Sequence, residues 1–224
     1  MVKTHGKTQN KTLAKICGLS DAASVIAAVD GGAAYIGLVF FAASPRAVTP
    51  EEAAKLAQDV PSSVKIVGLF VDPDDALLAS VLGAVKLDLL QLHGNENPER
   101  IASIKAQYSI PVMKALKIAE KADLQAAKDY ENVADMLLFD AKAPKTMKDA
   151  LPGGNGLVFD WRMLTNMSFN LPWMLAGGLD ANNVQEAVTI SGAPCVDTSS
   201  GVEISPGHKD VAEISRFLKT VHEI

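Results

Sequence analysis

A thiol and a carboxyl, each closing a short apolar run, are the side chains of this chain best suited to moving protons. Cys17 ends Leu13-Ala14-Lys15-Ile16-Cys17 and is followed by Gly18; Asp140 ends Met136-Leu137-Leu138-Phe139-Asp140. An acid has no packing reason to close such a run, and a carboxyl desolvated there holds its proton nearer neutral pH, as a general acid requires. Its alternatives are a helix cap or a partner for Lys142. For Cys17 the expectation is a sulfur with partial exposure and nearby donors, which would lower its pKa and make it a proton acceptor. A free cysteine is more often a small buried hydrophobe, and Cys195, inside the apolar run at 195–198, fits that description.

A second group of residues suits an anion. Gly177-Gly178 and Ser199-Ser200-Gly201 each follow an apolar run, and Gly153-Gly154-Asn155-Gly156 supplies a third glycine-bearing stretch. Glycine lets backbone N–H groups approach oxygen closely, and a helix N-terminus adds partial positive charge without a lysine. Each pair alone equally suits a tight turn; together they favour a phosphate. Arg46 offers a planar fork for a carboxylate, with a solvated loop arginine as its plain alternative. His93, beside Gly94, suits either a base or a structural hydrogen bond, and Asp72 and Asp197 suit orienting roles. No cluster of His and Cys has metal-ligand spacing, so no metal is expected.

These side chains need a frame that brings distant segments to one place. Eight short apolar runs recur at 13–17, 35–40, 64–71, 87–92, 111–116, 136–140, 172–176 and 195–198. Between them stand helix-start signals such as Ser20-Asp21, Thr49-Pro50-Glu51-Glu52, Asp72-Pro73-Asp74, Asn97-Pro98-Glu99 and Asp180-Ala181-Asn182. Near-continuous apolar strands suit a parallel sheet covered by helices, and eight βα units within 224 residues suit a single-domain α/β fold, a closed (β/α)8 TIM barrel over 11–224. An open doubly wound sheet is the runner-up. In a barrel, chemistry sits at the C-terminal strand ends, and the loops after strands seven and eight commonly hold phosphate. The candidates above occupy those positions, and the irregular stretch 141–157 reads as an active-site loop.

Composition narrows the function classes. Hydrophobic residues at 48% and charged residues at 21% allow a full core, and a net charge of −5 argues against nucleic-acid or anionic-membrane partners, leaving a local anion site. Residues 1–10 are polar and read as a tail without an apolar secretory core, and no run is long enough to span a bilayer. Two cysteines cannot build a disulfide framework, which fits a reduced, cytoplasmic chain. Both a monomer and a homodimer are compatible with the sequence.

The ordered set Lys15-Ile16-Cys17-Gly18, Gly37-Leu38-Val39-Phe40 with Ser44-Pro45-Arg46, Gln91-Leu92-His93-Gly94, Gly154-Asn155-Gly156 with Phe159-Asp160-Trp161, Ala176-Gly177-Gly178-Leu179, and Asp197-Thr198-Ser199-Ser200-Gly201-Val202-Glu203 resembles the phosphoribosylanthranilate isomerase family of tryptophan biosynthesis. It spans nearly the whole chain. Departures are confined to loops: Ser20 where the family often has Thr, Ala141 where a hydroxyl residue is common, and a longer 143–153 segment. The resemblance implies a cofactor-free Amadori rearrangement of a small phosphosugar, N-(5-phosphoribosyl)anthranilate, to 1-(2-carboxyphenylamino)-1-deoxyribulose 5-phosphate. By motif it implies Asp140 as general acid, Cys17 as general base and Arg46 as the carboxylate partner. Gly154, Gly156, Gly177, Gly178, Ser200 and Gly201 would hold the phosphate, with Asp197 and His93 in support. A histidine-pathway phosphosugar isomerase would instead bring paired aspartates at strands one and five, where this chain has Cys17 and Lys114. A non-catalytic phospholigand-binding barrel would give no reason for Cys17 and Asp140 to stand at strand ends.

Overall fold

A computed structural model describes residues 11–144, 147 and 153–224. The 1–10 tail and most of the 143–153 segment therefore lie outside the described residues. Eight parallel strands close into a barrel in sequence order: β1 (Leu13–Cys17), β2 (Tyr35–Val39), β3 (Lys65–Phe70), β4 (Leu89–Leu92), β5 (Val112–Ile118), β6 (Met136–Ala141), β7 (Trp173–Leu175) and β8 (Cys195–Thr198), with β8 pairing back to β1. This is the expected closed barrel rather than an open sheet, and the strands match the apolar runs to within a few residues.

The helices form where local chemistry starts them. Asp21 accepts from Ser24 N ahead of α1 (Ala22–Asp30), and Thr49 and Glu52 form a capping box on α2 (Pro50–Ala57). Asp74 and Asn97 accept from the N–H groups of Leu77 and Arg100 to open α3 (Asp75–Ala84) and α4 (Pro98–Tyr108). The regular alternation then weakens. After β5 there is a 3-10 turn and one short turn of helix, α5 (Ala127–Tyr130); after β6 the described helical structure is a 3-10 turn, Trp161–Leu164. Asp180 caps a turn, and α6 (Val184–Ser191) begins only after Asn183. Between β8 and α7 (Val211–His222) a small hairpin, β9 (Glu203–Ser205) with β10 (His208–Lys209), is an element the apolar pattern did not signal.

Alternation along the strands divides the interior. Val67, Leu89, Met113, Ala115, Leu138, Met174, Ala176 and Cys195 form a compact apolar set inside the barrel, while Ile16, Ile36, Phe139 and Val196 join the larger core under the helices. Two residues beyond Leu89, Leu138 and Cys195 on the same inward face come Gln91, Asp140 and Asp197. The barrel is thus dry at its floor and polar at its mouth.

A second buried polar group anchors one side of that mouth. Lys114, on β5, donates to Glu96 at 2.6 Å and to Gly94 O at 2.8 Å, and Glu96 in turn accepts from the backbone N–H of Asp72 and Gly94. Asp72, held at φ 45°, accepts from Asn95 N at 2.6 Å. The pair fixes the turn that carries His93. Replacing Lys114 with Met leaves Glu96 buried without its cation, so an expected loss of about 3–5 kcal/mol should appear as a lower urea midpoint, partly restored in Lys114→Met/Glu96→Gln; an unchanged midpoint would remove this anchor.

Candidate functional site

The polar mouth opens into a cavity of about 740 Å³, counted out to its rim. Cys17, Arg46, His93, Asp140, Gly154, Gly156, Gly177, Gly178, Asp197 and Ser200 all line it, so ten of the eleven expected site residues meet on one surface. Gly201 does not line it. A Cβ there would stand 1.9 Å from Leu179 O, so this glycine permits a close approach of chain segments instead.

On one wall stands the thiol. Lys15 and Cys17 share the inward face of β1, and opposite Lys15 in register is Asp197 on β8. Lys15 Nζ, fully buried, donates to Asp197 Oδ1 at 2.8 Å. Burial opposes the lysine's charge, but Asp197 and then Cys17 outweigh it and hold the ammonium well above its ordinary value. Cys17 is only 3% exposed, and burial pushes its pKa up, with Lys15 and more weakly Lys209 pulling it back. The expected partly exposed, low-pKa thiol is therefore corrected: desolvation in the barrel mouth exceeds the help of the nearby cations. Burial likewise raises Asp197, against the pull of Lys15.

Facing this wall is the carboxyl. Asp140 Oδ1 accepts from Ala141 N at 2.9 Å, and Oδ2 lies 3.2 Å from His93 Nε2. That contact is close but not aligned as a hydrogen bond, and among the described residues His93 Nε2 has no other partner. His93 Nδ1 pairs with Gln91 Nε2 at 3.1 Å, and among the described residues Gln91 Oε1 also lacks a hydrogen bond although the residue is fully buried. Gly153 packs over the pair; a Cβ there would sit 2.7 Å from His93 Cε1 and 2.9 Å from Asp140 Oδ2.

Arg46 is neither solvated nor fully free. Its Nε and Nη2 donate to the two carboxylate oxygens of Glu203 at 2.7 and 2.8 Å, and Nη2 also reaches Gly154 O at 3.2 Å. One edge of the fork is taken by the hairpin, and the Nη1 side lies against Gly154. Lys209 closes the group, donating to Glu203 at 2.8 Å and to the backbone O of Ser199 at 2.9 Å. Arg46 and Lys209 outweigh burial and lower the pKa of Glu203. At the far end, Gly177 and Gly178 take φ of 90° and 59°, a left-handed pair that side chains resist. A Cβ on Gly177 would meet Ala141 N at 2.8 Å, and Gly156 faces Ser200 Oγ. The result is a small-residue end lined by backbone, distinct from the charged walls.

A family model described as N-(5'phosphoribosyl)anthranilate (PRA) isomerase matches residues 14–220. The chain belongs to this family. A curated relative from Rhodospirillum centenum, an N-(5'-phosphoribosyl)anthranilate isomerase, is 58% identical over 204 residues, covering 91% of this chain and 95% of the relative. Among solved structures, the phosphoribosyl anthranilate isomerase of Thermotoga maritima superposes with a TM-score of 0.84 at 32% identity, covering 95% of this chain and all of that one. Another isomerase of the family, solved in complex with reduced 1-(o-carboxyphenylamino)-1-deoxyribulose 5-phosphate, gives a TM-score of 0.81 at 30% identity over 95% of this chain and all of that one.

Membership in the isomerase family does not itself say which buried charges support the site: Lys15, Gln91 and Glu203 stand in the motifs quoted above without a role, and Lys209 stands in none. The legible signal for Lys15 was a lysine in an apolar strand two residues before the cysteine, hence on its face. The pairing of Glu203 with Arg46 and Lys209 gave no comparable sign, because it depends on the unforeseen hairpin. The thiol's environment is directly measurable. Far-ultraviolet thiolate absorbance, taken as wild type minus Cys17→Ser, should titrate above the ordinary cysteine value of about 8.5, with Cys195, pushed up to about 12 by burial, silent in that range. Ionisation of Cys17 at or below neutrality would contradict the dominance of desolvation.

Proposed function

We propose that this chain carries out its family's reaction, the Amadori rearrangement of N-(5-phosphoribosyl)anthranilate in tryptophan biosynthesis, with Asp140 and Cys17 as its acid and base. The observation that supports this best is that the one thiol and the one carboxyl marked by strand-end position line the same cavity, which has glycines at one end and an arginine at its side. Asp140, starting protonated, gives its proton to the furanose ring oxygen as the C1′–O bond breaks, leaving a Schiff base. The Cys17 thiolate then takes the C2′ proton, giving an enolamine that tautomerises to the ketone. His93, 3.2 Å from Asp140 Oδ2, orients that carboxyl. Arg46 offers its Nη1 side to the anthranilate carboxylate while Glu203 holds the other edge. Backbone groups around Gly154, Gly156, Gly177, Gly178, Ser200 and Gly201 receive the phosphate; Gly201, outside the cavity lining, also lets the Ser199–Ser200 turn pack against Leu179. A thiolate base requires reduced cysteine, which favours the cytoplasm as the working compartment.

The roles separate kinetically. With fluorescence of the anthranilate substrate as the readout, Cys17→Ala and Asp140→Asn are each expected to lower kcat by ~10²–10⁴-fold while keeping the fold; near-wild-type kcat in either would refute its role. Arg46→Ala is expected to raise KM by about tenfold or more with a smaller change in kcat, because a carboxylate clamp acts in ground and transition states alike. An unchanged KM would release Arg46 from substrate binding.

A further inference from the structure

The proton-transfer scheme gives Lys15 no work. Lys15 is fully enclosed inside the barrel mouth, and an ammonium carries three donors. Among the described residues it finds a single oxygen acceptor, Asp197 Oδ1. Its neighbours are better satisfied: Lys209 donates to Ser199 O, Ser199 Oγ and Glu203, and Arg46 is held by both oxygens of Glu203 and by Gly154 O. Two residues along the same inward face stands Cys17, whose sulfur and the end of the Lys15 stem both border the space beside Gly37.

Strand β2 is shaped around this meeting. Gly37 is the register partner of Cys17, and a Cβ there would stand 2.8 Å from Sγ and 3.3 Å from Lys15 Cε. Any larger residue would push thiol and lysine stem away from the place they share. The charges around Cys17 point the same way. Lys15 on β1, Lys209 on β10 and Arg46 from the loop after β2 are three cations, against the carboxylates Asp197 on β8 and Glu203 on β9; Asp140 and His93 face the thiol's wall from across the cavity. On the thiol's side the cations Lys15, Lys209 and Arg46 outnumber the carboxylates Asp197 and Glu203, so the local field favours negative charge at the sulfur.

From this geometry we infer that Lys15 is a positioning residue for the base: its ammonium, oriented by Asp197 and seated beside Gly37, is the counter-ion that makes the Cys17 thiolate accessible inside the barrel. This rests on the reading of Cys17 as base. Burial disfavours a bare thiolate, and the ammonium offsets part of that penalty at the atom where the proton is received. Asp197 has two opposed effects: it holds the lysine in place, yet its own charge repels the thiolate.

That opposition gives a test by sign. Thiolate absorbance of Cys17 is titrated in the full-length chain, each variant referenced to the same variant carrying Cys17→Ser. In Asp197→Asn the ammonium stays and the repelling carboxylate is gone, so the midpoint should fall. In Lys15→Met/Asp197→Asn, where no buried charge is left unpaired, it should rise above wild type by about 1–2 pH units. In the double variant kcat near neutrality should drop about tenfold or more and recover as pH is raised, with KM little changed. A purely structural lysine would lower kcat equally at every pH and leave the midpoint in place, and that result overturns the inference. If the double variant does not fold, Gly37→Ala, which keeps both charges but separates them, must raise the midpoint while Asp197→Asn lowers it; any other pair of signs also overturns it. An inactive Cys17→Ala with unmoved midpoints sinks only the role of Lys15, whereas an active Cys17→Ala sinks the base assignment itself.

Discussion

Side-chain alternation on strands closed into a ring is the constraint from which the rest of this molecule follows. In a closed parallel barrel every second residue must point inward, and no edge exists where a polar side chain could turn away to solvent. Low on the strands those inward positions are apolar: Leu89, Leu138, Met174 and Cys195. Two residues further along the chain the same faces carry Gln91, Asp140, Ala176 and Asp197. The step from a dry floor to a polar mouth takes one side-chain layer, so the groups at the mouth rest on a low-dielectric base while facing the cavity.

Burying charge at that level is costly unless each group is paired, and the structure pairs them across strands rather than along them. Lys15 meets Asp197 between β1 and β8, the two strands that close the barrel. Arg46, Glu203 and Lys209 tie the loop after β2 to the hairpin after β8. Lys114 and Glu96 tie β5 to the turn after β4. Each pair therefore serves as a stitch between neighbouring loops of the catalytic face as well as a source of field. Scaffold rigidity and site electrostatics are set by the same few residues, which is how loops as irregular as these can hold reacting groups in place.

The two ends of the cavity solve different problems. At the glycine end, small residues expose backbone and take left-handed conformations that a larger side chain would strain, so an acidic protein can still offer neutral donors to an anion. At the thiol end, field comes from full charges at short range.

Much of this was legible in the residues alone. The eight apolar runs, the caps at Asp21, Thr49, Asp74 and Asn97, and the strand-end positions of Cys17 and Asp140 are local features, and local propensity and alternation determine them. The regular helix expected after each strand was not, because the segments after β5 and β6 settle into 3-10 turns whose partners lie elsewhere in the fold. Ring closure decided the rest. Only when β8 returns to β1 does Asp197 reach Lys15, and only when the hairpin folds over the loop after β2 does Glu203 take one edge of Arg46. Residue type and spacing determined which groups were available for chemistry; the depth at which they are buried, and hence the proton affinity of the Cys17 sulfur, came from contacts between residues as far as 182 positions apart in the chain.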